Sequence, residues 1–170
     1  VQLLAILFTL RFEMTIVLPK NKDEATKVSL LSLFFLFVLS FFSFILCIFF
    51  HDYLNILLGD SFDSIWLILL PIGAFLLGFY NILLNWNSRS EKYKNISKSN
   101  IIHSSVSSPL SAVLSFLGIS SALGLILGQI FGRLLAVYFL INNYFIEIKK
   151  ISYLELYNSS INLIKKYKSF

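Results

Sequence analysis

An arginine stands inside a long apolar run in the last third of the sequence. Arg133 follows about twelve apolar or small residues and is separated from Asn142 by eight more apolar residues. If this run is a membrane helix, a central guanidinium costs about 2.5–3.5 kcal/mol on insertion scales, so it normally faces a cavity or a partner. Arg133 therefore has two possible roles. It lines a substrate path, or it is a structural residue that snorkels or pairs with a carboxylate elsewhere in the protein.

Two opposite charges occur near the N-terminal end, in another apolar run. Arg11 and Glu13 precede Lys20 by nine and seven residues, which places them about 10–14 Å inside the end of that run at the rise of an α-helix. On a continuous helix, residues two positions apart point about 200° away from each other. Each charge then needs its own partner or water, and functional and structural roles are equally open.

Uncharged polar residues recur at helical spacing in two further runs. Ser104, Ser108, Ser111 and Ser115 form one stripe, and Asn81 and Asn85 share a helix face in the preceding run. Small residues of this kind usually allow close packing of helices. Lining a hydrophilic cavity, with Gln129 as a further candidate, is the competing use.

Other possible sites are weak. Gly124, Gly128 and Gly132 form a GxxxGxxxG pattern that is typical of helix packing, and no strand-loop-helix context suggests a phosphate loop. His51 and His103 have no cysteine or carboxylate at metal-ligand spacing. No nucleophile elbow, pair of catalytic acids or cofactor motif is present, so we expect no enzyme activity, no metal and no cofactor.

The composition indicates which elements carry these residues. Of 170 residues 57% are hydrophobic and 14% are charged, against about 45–50% and 25% in soluble domains. Lipid must therefore be the solvent for most of the chain. The net charge is +5, and most of the Lys and Arg residues lie in short loops between apolar runs. This placement is typical of residues that set membrane topology and contact anionic headgroups, and it argues against nucleic acid as a partner.

The apolar runs predict an all-α, polytopic membrane protein with one bundle over residues 1–141. The chain opens with Val1, and its single methionine is Met14, so we expect a fragment whose first span is partial. Pro109 is expected to break the fourth of these spans. Trp66, Tyr80 and Trp86 are expected in aromatic belts at the membrane surfaces. The predicted spans cover residues 1–18, 28–50, 65–86, 101–117 and 121–141.

Residues 142–170 are predicted to form a cytoplasmic, basic and amphipathic connector. Ser152 and Glu155 fit a helix capping box, and an apolar face follows at helical spacing, formed by Leu154, Tyr157, Ile161 and Ile164. This helix lies either on the membrane surface or against the protein as a solvated linker.

The basic residues also predict the orientation. Connectors after the first, third and fifth spans hold three, four and five Lys or Arg, together twelve of the fourteen in the chain. The two alternate connectors hold none. By the positive-inside rule the basic connectors are cytoplasmic and the loop around Asp60 is outside, provided that all five spans are real.

Several motifs resemble one family of bacterial transporters. The stretch Leu10-Arg-Phe-Glu-Met-Thr-Ile-Val-Leu-Pro-Lys20 resembles the "R-[YF]-E-x-x-I-V-L-P" signature of polysaccharide biosynthesis exporters, the O-antigen and oligosaccharide-lipid flippases of the multidrug/oligosaccharidyl-lipid/polysaccharide superfamily. Residues 69–81 and 86–87 resemble the family's fourth span and the loop beyond it, and residues 124–132 resemble its sixth. At Arg133 many relatives are expected to carry an uncharged polar residue, often Gln.

This resemblance implies helices two to six of a two-lobe, MATE-like transporter in the bacterial inner membrane, with the C-terminal lobe missing from the sequence. The implied substrate is an undecaprenyl-diphosphate-linked oligosaccharide. Arg11 and Arg133 would attract the diphosphate, and Asn, Gln and Ser side chains would meet sugar hydroxyls. The expected substrate-binding residues are Arg11, Glu13, Asn81, Asn85, Ser104, Ser108, Ser111, Gln129 and Arg133.

Two alternatives remain open. A drug or cation exporter of the same superfamily would favour carboxylates inside the membrane, of which Glu13 is the one available. A non-transporting membrane subunit of an envelope glycan complex would use Arg133 and the polar stripes as contacts between helices.

Overall fold

Six helices make up the described part of the chain, which contains no strand. The computed structural model describes residues 2–50, 53, 64–117, 121–141 and 144. The helices are α1 (Gln2–Thr9), α2 (Phe12–Thr15), α3 (Lys22–Phe49), α4 (Ser64–Arg89), α5 (Tyr93–Phe116) and α6 (Ser121–Ile141).

Three helices are long and apolar enough to cross a bilayer. They are α3, the Leu69–Arg89 part of α4 and the Leu123–Ile141 part of α6. The all-α architecture and these helices define a helical membrane protein, in agreement with the sequence analysis. The 24-residue α5 also has the length, but it is not among the three.

The first predicted span is not one continuous helix. Leu10 and Arg11 have φ angles of 50° and 60°, and left-handed residues cannot continue a right-handed helix. The break separates α1 from α2, so the 200° separation expected between Arg11 and Glu13 on one helix does not apply. Arg11 is exposed, whereas Glu13 is only 3% exposed.

Other helices extend beyond the apolar boundaries predicted from the sequence. Helix α3 begins at Lys22 rather than at residue 28, with Asp23 and Glu24 in its first turn, where acidic side chains interact favourably with the helix dipole. Helix α5 begins at Tyr93 rather than at residue 101 and continues through Pro109, which removes one backbone hydrogen bond without ending the helix.

The polar connector predicted between the third and fourth spans is therefore mostly helical. A three-residue turn remains between α4 and α5, in which Glu91 has a φ of 55°. The Lys92 amide donates to the Asn87 carbonyl at 2.9 Å and closes the turn.

The hydrophobic core lies around the C-terminal half of α4, which packs against α1, α3 and α6. Ile82 and Leu83 of α4 are fully buried there. The Tyr80 and Trp86 side chains are 7% and 4% exposed, so both belong to the core instead of a surface belt. Beyond Leu36, by contrast, α3 exposes Phe37, Phe41, Phe42 and Phe49.

Polar contacts tie the helices together at the end of the bundle that carries Arg89. The Arg89 guanidinium donates to the carbonyls of Pro19 and Lys20 at 2.8 and 3.2 Å. The Tyr144 hydroxyl donates to Ser29 Oγ at 3.0 Å, and its ring meets the Trp86 ring edge-on at 5.4 Å.

Several predictions fall on residues outside the described part of the chain. They are the acidic loop around Asp60, the turn at residues 118–120, His51, and the amphipathic connector apart from Tyr144.

Candidate functional site

The glycines of α6 bring its backbone close to that of α5. A Cβ atom on Gly128 would lie 2.7 Å from the Ser107 carbonyl oxygen, and one on Gly132 would lie 3.0 Å from the His103 carbonyl oxygen. A Cβ atom on Gly124 would lie 3.0 Å from Ser115 Oγ. The GxxxGxxxG pattern therefore acts in packing, as its spacing predicts.

The serines of α5 divide between this interface and an open groove. Ser107 and Ser111 are 4% and 8% exposed, and the Ser111 hydroxyl donates to the Ser107 carbonyl at 2.6 Å. Ser108 and Ser115 are exposed beside them. The groove has a volume of about 390 Å³, so the stripe both packs and lines a concave surface. Its walls are Ser107, Ser108, Ser111, Ala112, Ser115, Leu125 and Gln129.

Ser104, one turn from Ser108, is also exposed. Its hydroxyl donates to the carbonyls of Asn100 and Ile101 in its own helix, both at 3.0 Å. Its oxygen lone pairs remain available as acceptors, because the contacts use its single proton.

A polar cluster lies next to this groove, where α4, α5 and α6 meet. The Tyr80 hydroxyl of α4 donates to Oδ1 of Asn100 in α5 at 2.7 Å and lies 3.4 Å from Ser99 Oγ. The Tyr80 ring stacks with the His103 ring at 6.3 Å between centroids. These contacts fix the position of both rings.

Arg133 joins the cluster from α6. Its guanidinium lies close to His103 and Tyr80, and Gln129, one turn earlier on α6, lies beside the His103 imidazole. Arg133 is half-buried. Within the described residues no carboxylate forms an ion pair with it.

The cluster occupies one level of the bundle. Tyr80 precedes Arg89 by nine residues, His103 follows Tyr93 by ten, and Arg133 precedes Ile141 by eight. At the rise of an α-helix, these intervals place the three side chains about 12–15 Å from the same end of the bundle. An ionisable group at this depth in a membrane helix is a functional-site candidate by default.

The remaining predicted site residues lie apart from Arg133. Asn81 and Asn85 are half-buried on α4, and the Asn85 amide donates to the Asn81 carbonyl at 3.0 Å. Arg11 is exposed at the break between α1 and α2, and Glu13 is buried with an Oε2 atom that has no hydrogen-bond partner among the residues that the structure describes. Among the described residues no hydrogen bond joins these four to the cluster.

Tyr80, Asn100 and His103 are members of the cluster that the sequence did not predict. Asn100 precedes the predicted span, and the sequence offers His103 only as a weak candidate for a metal ligand. Asn100 and His103 are three residues apart, and this spacing could have indicated that they belong together, because residues at i and i+3 share a helix face. Tyr80 carries no such signal, since its partners are on α5.

No protein-family model matches the chain, and no curated protein or solved structure matches it either. The described helices define the class, a helical membrane protein.

Proposed function

We propose that the chain is part of a flippase that moves an undecaprenyl-diphosphate-linked oligosaccharide across the bacterial inner membrane for surface polysaccharide synthesis. It would supply the N-terminal lobe's wall of the cavity, and the C-terminal lobe would supply the facing wall. The motifs at residues 10–20, 69–81 and 124–132 support this assignment by their resemblance to the exporter family.

One observation carries the proposal. Arg133 lies within a membrane-spanning helix beside His103 and Gln129, and it has no carboxylate partner among the described residues. A structural arginine in hydrocarbon needs a counter-charge or water. An anionic substrate group that passes through a cavity at this level would supply the counter-charge transiently.

The chemistry of the proposed substrate fits the arrangement. The planar guanidinium fork of Arg133 can donate two hydrogen bonds to phosphate oxygens. Ser108, Ser115 and Gln129 of the neighbouring groove offer hydroxyl and amide groups, which can pair with sugar hydroxyls as donors and acceptors. The diphosphate would then bind at Arg133 while the sugars extend along the groove.

Movement across the membrane would follow from rocking of the two lobes around this site. Both lobes would contribute groups to binding. The substrate could therefore contact one lobe and then the other, whichever side of the membrane the cavity is open to. Asn81 and Asn85 on α4, and Arg11 and Glu13 in the first segment, would line other parts of the same path.

Complementation of export tests the proposal. In cells that lack the full-length gene, Arg133→Gln should abolish surface polysaccharide at normal protein level, and Arg133→Lys should restore part of it. Leu134→Gln is the matched control, because it places the same amide at an exposed neighbouring position. Full export by Arg133→Gln would remove Arg133 from the substrate path.

A second candidate function is export of a drug or another organic cation. It is favoured by Glu13, whose side chain is 3% exposed and whose Oε2 atom has no partner in the described part of the chain, because a buried carboxylate is a suitable partner for a cation. Transport by the reconstituted full-length protein separates the two functions. Uptake of a cationic dye without movement of lipid-linked sugar would favour this candidate.

A further inference from the structure

His103 has an unused hydrogen-bonding atom at the centre of the polar cluster. Its Nε2 atom is buried and makes no well-aligned hydrogen bond to any described residue, although the Gln129 side chain lies within hydrogen-bonding reach of the imidazole. The ring is stacked on Tyr80, and Gln129 and Arg133 lie beside it on α6. A buried polar atom without a partner is unfavourable, so the arrangement favours binding of a group that can pair with it.

We propose that His103 is a second anion-binding group beside Arg133, and that it takes up a proton when the diphosphate binds. The inference rests on the proposed function and extends it, because it assigns a proton to the binding step. The imidazolium would donate one hydrogen bond to a phosphate oxygen, while the Arg133 guanidinium donates two.

The charges around His103 explain why the proton arrives with the anion. Among the described residues the titratable or charged neighbours are Tyr80 on α4 and Arg133 on α6, and Gln129 is uncharged. In the empty site a charged imidazole would be repelled by Arg133. A phosphate placed between the two side chains replaces that repulsion by attraction to both.

Linkage then requires the effect to be reciprocal. If the anion favours protonation of His103, protonation must favour binding of the anion by the same factor. The affinity for a diphosphate should therefore rise as the pH falls, by up to about tenfold per pH unit when one proton is taken up.

Tyr80 would act as a positioning residue in this site. Its hydroxyl is held by Oδ1 of Asn100, and its ring supports the imidazole by stacking. Because the phenol does not need to reach the ligand, Tyr80→Phe keeps the stacked ring and removes only the hydrogen bond. This variant should weaken binding slightly at every pH and leave the pH dependence intact.

Direct binding at several pH values tests the inference. The full-length protein in nanodiscs would be titrated with a sugar-free polyprenyl diphosphate and, separately, with inorganic pyrophosphate between pH 6 and pH 8. The ligand titrates in the same range, so the relevant quantity is the difference in slope between the wild-type protein and His103→Gln. We expect that His103→Gln binds several-fold more weakly at pH 6, binds almost equally at pH 8, and has the smaller slope.

The two ligands separate the inference from the proposed function. A His103-dependent slope with pyrophosphate as well as with the polyprenyl diphosphate supports the anion site, with the phosphates as the recognised group. Equal slopes for the wild-type protein and His103→Gln overturn the inference, even where Arg133→Gln abolishes export. If the polyprenyl diphosphate binds no better than phosphatidylglycerol, the proposed function fails. A His103-dependent slope of affinity against pH with pyrophosphate alone would still support the anion site. His103→Asn replaces His103→Gln if the latter does not fold.

Discussion

Gly128 of α6 lies so close to Ser107 of α5 that a Cβ atom on the glycine would stand 2.7 Å from the Ser107 carbonyl oxygen. The obstacle is backbone, which cannot rotate away as a side chain can. This contact sets the distance between the two helices that carry His103 and Arg133.

We therefore expect Gly128→Ala to destabilise the α5–α6 pair by about 1–3 kcal/mol, as overpacking does in well-packed cores. Thermal unfolding of the full-length protein in detergent measures the loss. Gly124→Ala is the matched control, because its Cβ atom would meet the movable Ser115 hydroxyl at 3.0 Å and would stand 3.2 Å from the nearest backbone oxygen, that of Ser111, instead of 2.7 Å. Equal stability of Gly128→Ala and the wild-type protein would show that the helices are not held at this distance.

Tyr144 connects the segment after α6 to α3 through the Ser29 hydroxyl at 3.0 Å. Tyr144→Phe should lower the free energy of unfolding by about 1 kcal/mol, the usual net value of one hydrogen bond, while it retains the ring contact with Trp86. The double variant with Ser29→Ala should cost less than the sum of the single variants. Strict additivity would indicate that the two hydroxyl groups do not interact.

The same tyrosine predicts a pH dependence of stability. Burial raises the pKa of Tyr144 above its ordinary value, an effect that the hydrogen bond with Ser29 opposes only in part. Because the folded protein favours the protonated phenol, this contribution to stability is complete below about pH 10 and is lost as the pH rises further. Unfolding measured between pH 9 and pH 11 should therefore show a smaller alkaline loss for Tyr144→Phe. An unchanged loss would assign the alkaline effect to other groups.

The serine stripe predicts a difference in aqueous access between two positions on α5. With Cys47 replaced by Ser, a cysteine at the exposed Ser108 should react with a membrane-impermeant maleimide in the full-length protein. A cysteine at Ser111, which is 8% exposed against Gly128, should react far more slowly. Equal protection of both positions would favour the non-transporting subunit, in which the stripe serves only to pack helices.

The predicted topology depends on the side of the membrane on which the turn between α4 and α5 lies. A reporter inserted in the turn around Glu91 should be cytoplasmic, because the basic residues Arg89, Lys92, Lys94 and Lys98 surround it. An insertion in the loop around Asp60 is the control and should be external. A reporter at Glu91 that is active outside the cell would exclude this topology and the flippase with it.

The sequence by itself predicts the class of the protein and most of its helices. Runs of about 20 apolar residues require lipid as their solvent, and a single segment can satisfy its own backbone there only as a helix. For this reason α6 begins and ends at residues 121 and 141, as the hydropathy predicted. Boundaries were less predictable where polar residues continue a helix beyond the apolar run, as at Lys22 and Tyr93. The break at Leu10 and Arg11 also had no signal, since neither residue type favours a positive φ.

Arg133 and the Gly128 face were identified from the sequence because their signals are local: a charge in an apolar run and a repeat of four residues. The partners of Arg133 depend on which helices meet and at what depth. Tyr80 lies 23 residues before His103, and His103 lies 30 residues before Arg133, so no local spacing can place the three together. Tertiary structure decided their grouping, because close packing against Gly128 and Gly132 brings α5 to α6, and the Tyr80 hydrogen bond to Asn100 brings α4 to the same level.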